Sequence, residues 1–341
     1  MDTMKTALVL GATGGIGGEM VRQLLAAGWT VRALKRGETQ PARGDGIGWL
    51  RGDALSRTDV MAAAKGCSVI VHAVNPPGYR HWGQLVLPML DNTIAAAVAE
   101  NATIVLPGTV YNFGPDAFPA PGNLLAEDAP QRPLTRKGAI RVELEARLQR
   151  ASTQGAQVII VRAGDFFGPR AGNSWFSQGL VKPGQPVRSV LSPGAPGIGH
   201  QWSYLPDVAR TMLQLLAVRA SLSPFARFHM AGHWDHDGRQ MTGAICRVVA
   251  RQTGTRPALK AFPWWLMTLA SPFVATLREL REMRYLWQAP LPLDNARLLA
   301  VLGQEPHTPL DEAVRATLEG MGNLPADSER FSPPTGAGAG S

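Results

Sequence analysis

The stretch Thr6–Gly18, TALVLGATGGIGG, decides the fold of this chain. Lys5–Leu10 predicts a buried strand, and apolar side chains at helical spacing from Ile16 to Ala27 predict a helix directly after it. Glycines fill the turn between them, where backbone N–H groups at a positive helix end can closely approach an anion. The stretch therefore predicts a strand–loop–helix unit that binds a pyrophosphate group.

Strand-like and helix-like segments alternate through the first 165 residues. Thr30–Leu34, Val69–Ala73, Thr103–Leu106 and Val158–Val161 are short apolar runs, and Leu90–Glu100 has helical spacing. Strands that alternate with helices favour parallel pairing, because each return connection must cross a face of the sheet. The predicted fold class is α/β, a doubly wound parallel sheet of the Rossmann type.

The pattern changes after Arg162. Glycine and proline crowd Gly164–Gly199 and predict loops. We divide the chain into a dinucleotide-binding domain at 1–165, a smaller mixed substrate-binding part at 166–322, and a disordered tail at 323–341. Residues of about 200–220 are expected to return from the second part to the first.

Composition limits the class of protein. The chain has 341 residues, 45% of them hydrophobic, and a formal net charge of +8. The basic residues are scattered, which argues against nucleic acid as a partner.

The longest apolar run, Trp264–Leu277, is too short to span a bilayer and favours a core or dimer helix over a helix lying on a membrane. We expect a cytoplasmic protein with reduced cysteines and leave a homodimer open.

The glycine spacing is wider than that of the usual dinucleotide fingerprint. Gly11-x-x-Gly14-x-x-Gly17 resembles the short-chain dehydrogenase/reductase superfamily, in the extended form close to NAD(P)-dependent epimerases and dehydratases. The resemblance runs from about Lys5 to Asp207 and implies a Rossmann domain that binds a nicotinamide dinucleotide. Further stretches in register with that family are Arg51–Ala54, Val71–Asn75, Arg162–Pro169 and Trp202–Ala209.

The end of the second predicted strand indicates which dinucleotide binds. An acidic residue there would hold the ribose of NAD, whereas this strand ends in Lys35 and Arg36. Two cations can pair with the 2′-phosphate of NADP(H), which is therefore the predicted cofactor. The residues predicted to bind it, several by resemblance alone, are Gly11, Thr13, Gly14, Gly15, Ile16, Gly17, Lys35, Arg36, Asp53, Ala54, Ala73, Val74, Asn75, Leu106, Lys137 and Phe166.

The expected catalytic helix departs from the superfamily pattern. Most members carry Tyr-x-x-x-Lys there, whereas this chain has Lys137 and Arg141 in those places. Lys-x-x-x-Arg, a following Glu145 and the upstream Leu106–Pro107 are similar to isoflavone reductases, in which the lysine is catalytic or orients the cofactor. The resemblance implies Lys137 as the acid or base, with Arg141 beside it. Tyr111 is the second candidate proton donor.

Aromatic side chains follow the strands that should border the substrate. Tyr79, Trp82, Phe113, Trp175 and Trp202 are the predicted substrate residues, and they favour a small hydrophobic or aromatic molecule. Asp165 is predicted to contact the substrate as well.

No metal site is predicted. His229, His233 and His236, with Asp235 and Asp237, do not match a zinc spacing, and a hydrated loop is the preferred interpretation.

Three functions remain open. The first is an NADPH-dependent reductase that transfers hydride to a carbonyl or ene substrate. The second is an epimerase or dehydratase in which the cofactor cycles without net turnover. The third is an NADP(H)-binding regulator without catalysis.

Overall fold

In the computed structural model the described residues are 5–37, 45–76, 82–118, 120, 122–172, 174–271 and 281–325. The larger of its sheets has seven strands, all paired in parallel. In chain order they are β1 (Thr6–Leu10), β2 (Thr30–Lys35), β3 (Ile47–Arg51), β4 (Val69–His72), β5 (Thr103–Thr109), β6 (Gln157–Ala163) and β10 (Phe225–His229).

The spatial order of this sheet is β10-β6-β5-β4-β1-β2-β3. The order reverses between β1 and β4, and ligands of open α/β sheets bind outside the carboxyl ends of the strands at such a point. The glycine loop follows β1 directly. The predicted Rossmann-type fold is confirmed.

Helices cover both faces of the sheet. On one side lie α1 (Gly15–Ala26) and α5 (Leu205–Ala217), and on the other α2 (Arg57–Ala64), α3 (Trp82–Glu100) and α4 (Arg136–Ser152). Alternate residues of one strand belong to the two cores: Val9 packs under α1 and α5, and Leu8 packs under the other three helices. Because the strands are buried on both faces, their residues form continuous apolar runs in the sequence.

The rest of the described chain forms a smaller mixed part. Strands β7 (Asp165–Phe167), β9 (His200–Tyr204) and β11 (His233–Asp235) make one sheet, and β8 (Ser189–Ser192) pairs with β12 (Ala258–Ala261). Helices α6 (Gln240–Thr253) and α9 (Leu310–Gly320) pack together, and both contribute to its core. The helices α7 (Trp264–Ala270) and α8 (Ala296–Leu302) are shorter.

The prediction of loops throughout Gly164–Gly199 was wrong. The stretch contains β7, β8 and a π-helical turn at Phe176–Leu180. Strands of three or four residues are too short to show an alternating pattern, so composition alone governed the prediction.

Two boundaries differ from the sequence-based division. Residues 200–220 were predicted to return to the first domain, and within them α5 packs on α1. Strand β10, at 225–229 and beyond that range, also joins the larger sheet. The predicted tail starts too early, because Asn323 donates to the carbonyl oxygen of Lys182 at 2.7 Å and Leu324 is buried. Residues 326–341 lie outside the described residues.

In the apolar run at Trp264–Leu277, the described residues form α7 (Trp264–Ala270), and residues 272–277 lie outside the described residues. Trp265 is 69% exposed and Leu269 is 65% exposed. Among the described residues, no helix is both long and apolar enough to cross a bilayer. The homodimer stays a prediction.

The segment Gly168–Gly172 lies between α1 and α9. A Cβ atom at Gly15 would lie 3.1 Å from the carbonyl oxygen of Arg170, and one at Gly320 would lie 2.4 Å from the Cβ atom of Pro169. Both helices therefore touch this segment at glycines, with no room for a side chain at Gly320 and little at Gly15.

Candidate active site

The glycine loop between β1 and α1 is packed so closely that two positions cannot carry side chains. Gly11 has a φ of +87°, and a Cβ atom there would lie 2.4 Å from the carbonyl oxygen of Ala73, just after β4. A Cβ atom at Gly17 would lie 2.1 Å from the carbonyl oxygen of Gly11. Both distances are far below van der Waals contact, so the loop adopts this shape only with glycine at these positions.

The start of α1 is open towards a cavity. Gly14 is the N-cap residue, its first turn has no acidic residue, and no described side chain caps it. A Cβ atom at Gly14 would meet only the carbonyl oxygen of Gly11, at 3.3 Å. The N–H groups that a helix cannot satisfy internally, and its positive end, therefore border the cavity and suit an anion such as a pyrophosphate.

One cavity of about 360 Å³ brings the glycine loop together with most of the predicted site. The predicted residues that line it come from several separate segments of the chain, which the fold brings together. They are Gly11, Thr13, Gly14, Gly15, Ile16, Ala73, Asn75, Trp82, Tyr111, Lys137, Arg141, Asp165, Phe166 and Trp175.

Lys137 stands in the first turn of α4 and is only 6% exposed. Thr135 caps this helix, because its hydroxyl oxygen accepts from the Gly138 N–H at 3.0 Å. Gly138 lets the helix approach the loop after β5, since a Cβ atom there would lie 2.2 Å from the carbonyl oxygen of Tyr111. This close approach fixes the backbone next to Lys137 against the segment that carries Tyr111.

Arg141 lies one turn after Lys137. Its guanidinium carbon is 5.2 Å from the ring centroid of Trp82, a cation–π distance that holds both side chains in the cavity wall. A small adjoining cavity of about 40 Å³ lies between Arg141 and His72. Burial, and then the positive charge of Arg141, lower the pKa of His72 to about 3, so this histidine is neutral near pH 7.

Asp165 begins β7 and is contacted from two sides. The Nε2 atom of His200 lies 2.8 Å from Oδ2 of Asp165, and the Tyr111 hydroxyl donates to Oδ1 over a long 3.5 Å. His200 and Asp165 are both buried. Asp165 and Tyr111 line the cavity, so the carboxylate is a polar group in a mainly apolar wall.

Comparison with known proteins fits this arrangement. The family model for the NAD dependent epimerase/dehydratase family matches residues 7–225, which is more than half of the chain. The chain belongs to this family. The resemblance to the extended short-chain dehydrogenases is thereby confirmed.

Solved structures of epimerases share the fold. UDP-glucose 4-epimerase of Thermus thermophilus, in complex with NAD, has 20% sequence identity and a TM-score of 0.68, with 93% of this chain and 98% of that chain covered. A putative epimerase of Burkholderia cenocepacia has 18% identity and a TM-score of 0.69 over the same shares of both chains.

Curated relatives match over a short segment. The bovine sterol-4-alpha-carboxylate 3-dehydrogenase, decarboxylating, is 33% identical over 79 residues, 23% of this chain. The human enzyme is 35% identical over 75 residues. The chain spans about a fifth of the length of these relatives.

Two of the predicted substrate residues of this family member lie outside the cavity. Phe113 is fully buried against His229 and Arg162, and Trp202 is buried among Phe167 and other aromatic rings. Aromatic side chains pack equally well in a core and in a pocket, so residue type alone could not predict which of the two places Phe113 and Trp202 occupy. We leave both out of the proposed site. Tyr79 lies outside the described residues.

The residues predicted at the adenosine end of the cofactor lie outside the cavity wall. Lys35 and Arg36 are at the end of β2, and Lys35 pairs in register with Arg51 of β3. Asp53 accepts from the Leu55 N–H at 3.0 Å in the turn that follows.

Three other predicted cofactor residues lie behind or beside the cavity. Val74 lines the small adjoining cavity, Leu106 is buried in β5, and Gly17 is behind the glycine loop. Ala54 is buried after β3, where its carbonyl oxygen accepts from Asn92 at 2.9 Å.

Glu145, the acid that follows Lys137 and Arg141 on α4, is part of a buried network away from the cavity. The Arg162 guanidinium donates to both of its carboxylate oxygens, at 2.9 and 2.5 Å, and Asn112 donates at 2.9 Å. Removal of one partner from such a pair typically costs about 3–5 kcal/mol. The network ties α4 to β6 and so supports the position of Lys137.

The interpretation of the histidine segment as a hydrated loop was wrong for His229 and His233, which are buried in β10 and β11. Burial and the charge of Arg162 lower the pKa of His229 to about 3, and burial with His307 nearby lowers that of His233 to about 4. Asp235 accepts from the Gln240 and Met241 N–H groups, both at 3.0 Å, at the start of α6. No cluster of three or more possible ligands occurs in the described part of the chain.

Several residues of the cavity wall were missed by the sequence analysis. They include Leu205 and Met283, and His200 lies behind Asp165. Thr109, which ends β5 and was a third candidate proton donor in the sequence, also lines the cavity. Met283 comes from a 3₁₀ turn, Met283–Trp287, whose approach depends on the whole smaller part.

Proposed function

We propose that this chain binds a nicotinamide dinucleotide in the cavity, with NADP(H) preferred, and transfers hydride between it and a small hydrophobic or aromatic carbonyl or ene compound. The observation that carries the proposal is the single cavity that joins the glycine loop to Lys137, Tyr111 and Asp165. The bound nicotinamide would supply or accept the hydride. The other steps belong to side chains of the protein.

The fit of the cofactor rests on the shape of the loop. Gly11 and Gly17 leave no space for side chains, and the uncapped start of α1 favours an anion. At the end of β2, Lys35 and Arg36 would pair with a 2′-phosphate, and Arg51 adds a third cation beside Lys35.

Lys137 is the group we assign to proton transfer, at its Nζ atom. It lines the cavity while only 6% exposed, so a bound molecule would exclude the remaining water around it. Arg141 stays charged on the face of Trp82 and orients anionic or carbonyl oxygen. Trp82, Trp175 and Met283 supply apolar surface for a hydrophobic substrate.

A second candidate is an epimerase or dehydratase. Family membership and the fold shared with epimerases favour it. For proton transfer in such a reaction the cavity offers Lys137 as well as the Tyr111–Asp165 pair.

The deciding experiment incubates the purified protein with NADPH and a panel of aromatic aldehydes and enones, with absorbance at 340 nm and product analysis. Net loss of NADPH with a reduced product supports the reductase. A parallel incubation with NADP+ and the corresponding hydroxyl compounds tests the second candidate, and a rearranged product without net change in NADP+ supports the epimerase or dehydratase. Tight NADPH binding without any product would contradict both and favour a regulator.

A further inference from the structure

His200 is held so that both ring nitrogens face oxygen atoms. Its Nδ1 atom lies 3.2 Å from the carbonyl oxygen of Leu286, and its Nε2 atom lies 2.8 Å from Oδ2 of Asp165. A backbone carbonyl can only accept, so Nδ1 carries a proton. A hydrogen bond between Nε2 and Oδ2 then requires a second proton, carried either by the imidazole or by the carboxyl group.

The surroundings favour this extra proton on the imidazole. The ring of Trp287 stacks on His200 with centroids 3.6 Å apart and an interplanar angle of 6°, which offers a π face to a cation. An Asp165 carboxylate that accepts hydrogen bonds from both His200 and Tyr111 is also more stable than a carboxylic acid that accepts from Tyr111 alone. The pair is therefore an imidazolium and a carboxylate, with no net charge together.

Other ionisable groups around Asp165 come from three elements. Tyr111 follows β5, Lys137 lies on α4, and Tyr285 lies on the 3₁₀ turn, where burial and then the charge of Asp165 raise its pKa. The Tyr285 hydroxyl donates away from Asp165, to the carbonyl oxygen of Phe113 at 3.2 Å. Oδ1 of Asp165 is left directed at Tyr111 and the cavity.

We propose that His200 is a positioning residue of the cavity: as an imidazolium that donates from both nitrogens, it fixes the Asp165 carboxylate as an acceptor for a hydroxyl group of the ligand. Oδ2 accepts from His200, so Oδ1 and the Tyr111 hydroxyl form one polar end of the cavity. This end selects compounds with an alcohol group over ethers of the same shape. The proposal rests on the proposed function only in that it uses the same cavity.

The first test is nitrogen-15 NMR of the imidazole groups at pH 7, without any ligand. We expect His200 to carry protons on both nitrogens in the native protein and on Nδ1 alone in Asp165→Asn, which removes the anionic partner. A native His200 with a single proton would overturn the proposal. This readout requires no turnover, so it stands apart from any failure of the proposed reaction.

The second test compares 2-phenylethanol with benzyl methyl ether, two isomers of similar length of which the alcohol alone carries a hydrogen-bond donor, by ligand-observed NMR at saturating NADPH. We expect the alcohol to bind about tenfold more tightly, a preference that His200→Leu and Asp165→Asn reduce to about twofold. His200→Gln, which keeps one donor, should retain an intermediate preference. The exposed His236→Gln is the control and should change nothing. Equal binding of the two probes to the native protein would overturn the proposal, as would an unchanged preference in a folded Asp165→Asn.

Discussion

The two walls of the cavity are built on different principles. The glycine loop is a backbone wall, in which Gly11, Gly14 and Gly17 act by leaving side chains out. The wall formed by Lys137, Tyr111 and Asp165 consists of side chains from three distant segments, held by a helix cap, a close glycine contact and a buried histidine. In the proposed function the first wall binds the dinucleotide, and the second acts on the substrate.

The largest expected effect comes from closing the backbone wall, because no turnover would remain without a bound cofactor. In Gly14→Val the new side chain projects towards the cavity at the start of α1, so we expect NADPH to bind at least about 100-fold more weakly, equivalent to about 2.8 kcal/mol. Isothermal titration calorimetry measures this. Gly243→Val, in α6, is the matched control and should leave affinity unchanged. Undiminished binding in Gly14→Val would contradict the assignment.

The next effect belongs to the side-chain wall. Lys137→Met keeps the length of the side chain without its amine, and general acid–base groups contribute about 100- to 10,000-fold in rate, so we expect a loss of kcat on that scale. NADPH affinity should fall much less. Steady-state kinetics on any substrate found for the native protein provides the measurement.

Two variants accompany Lys137→Met. The exposed Lys182→Met is the control for loss of a lysine and should retain full activity. Tyr111→Phe tests the rival donor. Near-normal turnover of Lys137→Met, with turnover lost in Tyr111→Phe, would transfer the proton-transfer role to Tyr111.

A smaller effect is expected at the end of β2, where the 2′-phosphate of the cofactor would bind in the proposed function. Arg36→Asp places an anion where a 2′-phosphate would bind, so the preference for NADPH over NADH should fall by about 10-fold or more. Fluorescence titration with both cofactors shows it, with the exposed Arg188→Asp as the control. Equal affinities of the native protein for the two cofactors would rule out the predicted preference.

The smallest effect concerns His72, which lies behind the side-chain wall. Its pKa in the fold is about 3, below the ordinary 6.5, so its contribution to stability is complete above pH 6.5 and is lost as the pH falls towards 3. Between pH 6 and pH 5 this one group should lower the free energy of unfolding by about 1 kcal/mol. Urea unfolding of His72→Gln should show a shallower dependence on pH than the native protein. Parallel curves would contradict the buried neutral state.

The same contrast explains how far the sequence could predict the site. The glycine loop was predictable because its strand, turn and helix are adjacent in the chain and each has its own local signal. Lys137 and Arg141 were assigned by the resemblance of their helix to that of isoflavone reductases, and both line the cavity. His200 and Met283 were not, because each reaches the site only through the packing of the smaller part. Phe113 was assigned to the substrate because side-chain type does not separate a pocket from a core.

Gly15 and Gly320 have a consequence for the synthesis of the protein. The segment Gly168–Gly172 presses on the start of α1 from one side and is backed by α9 from the other. A nascent chain that ends at α5 already contains every residue of the glycine loop. It does not yet contain α9, so the outer side of the segment Gly168–Gly172 is not yet supported. If the chain binds a dinucleotide as proposed, we expect full affinity only after α9 has been made, so that a bound cofactor would distinguish a finished chain from a nascent one.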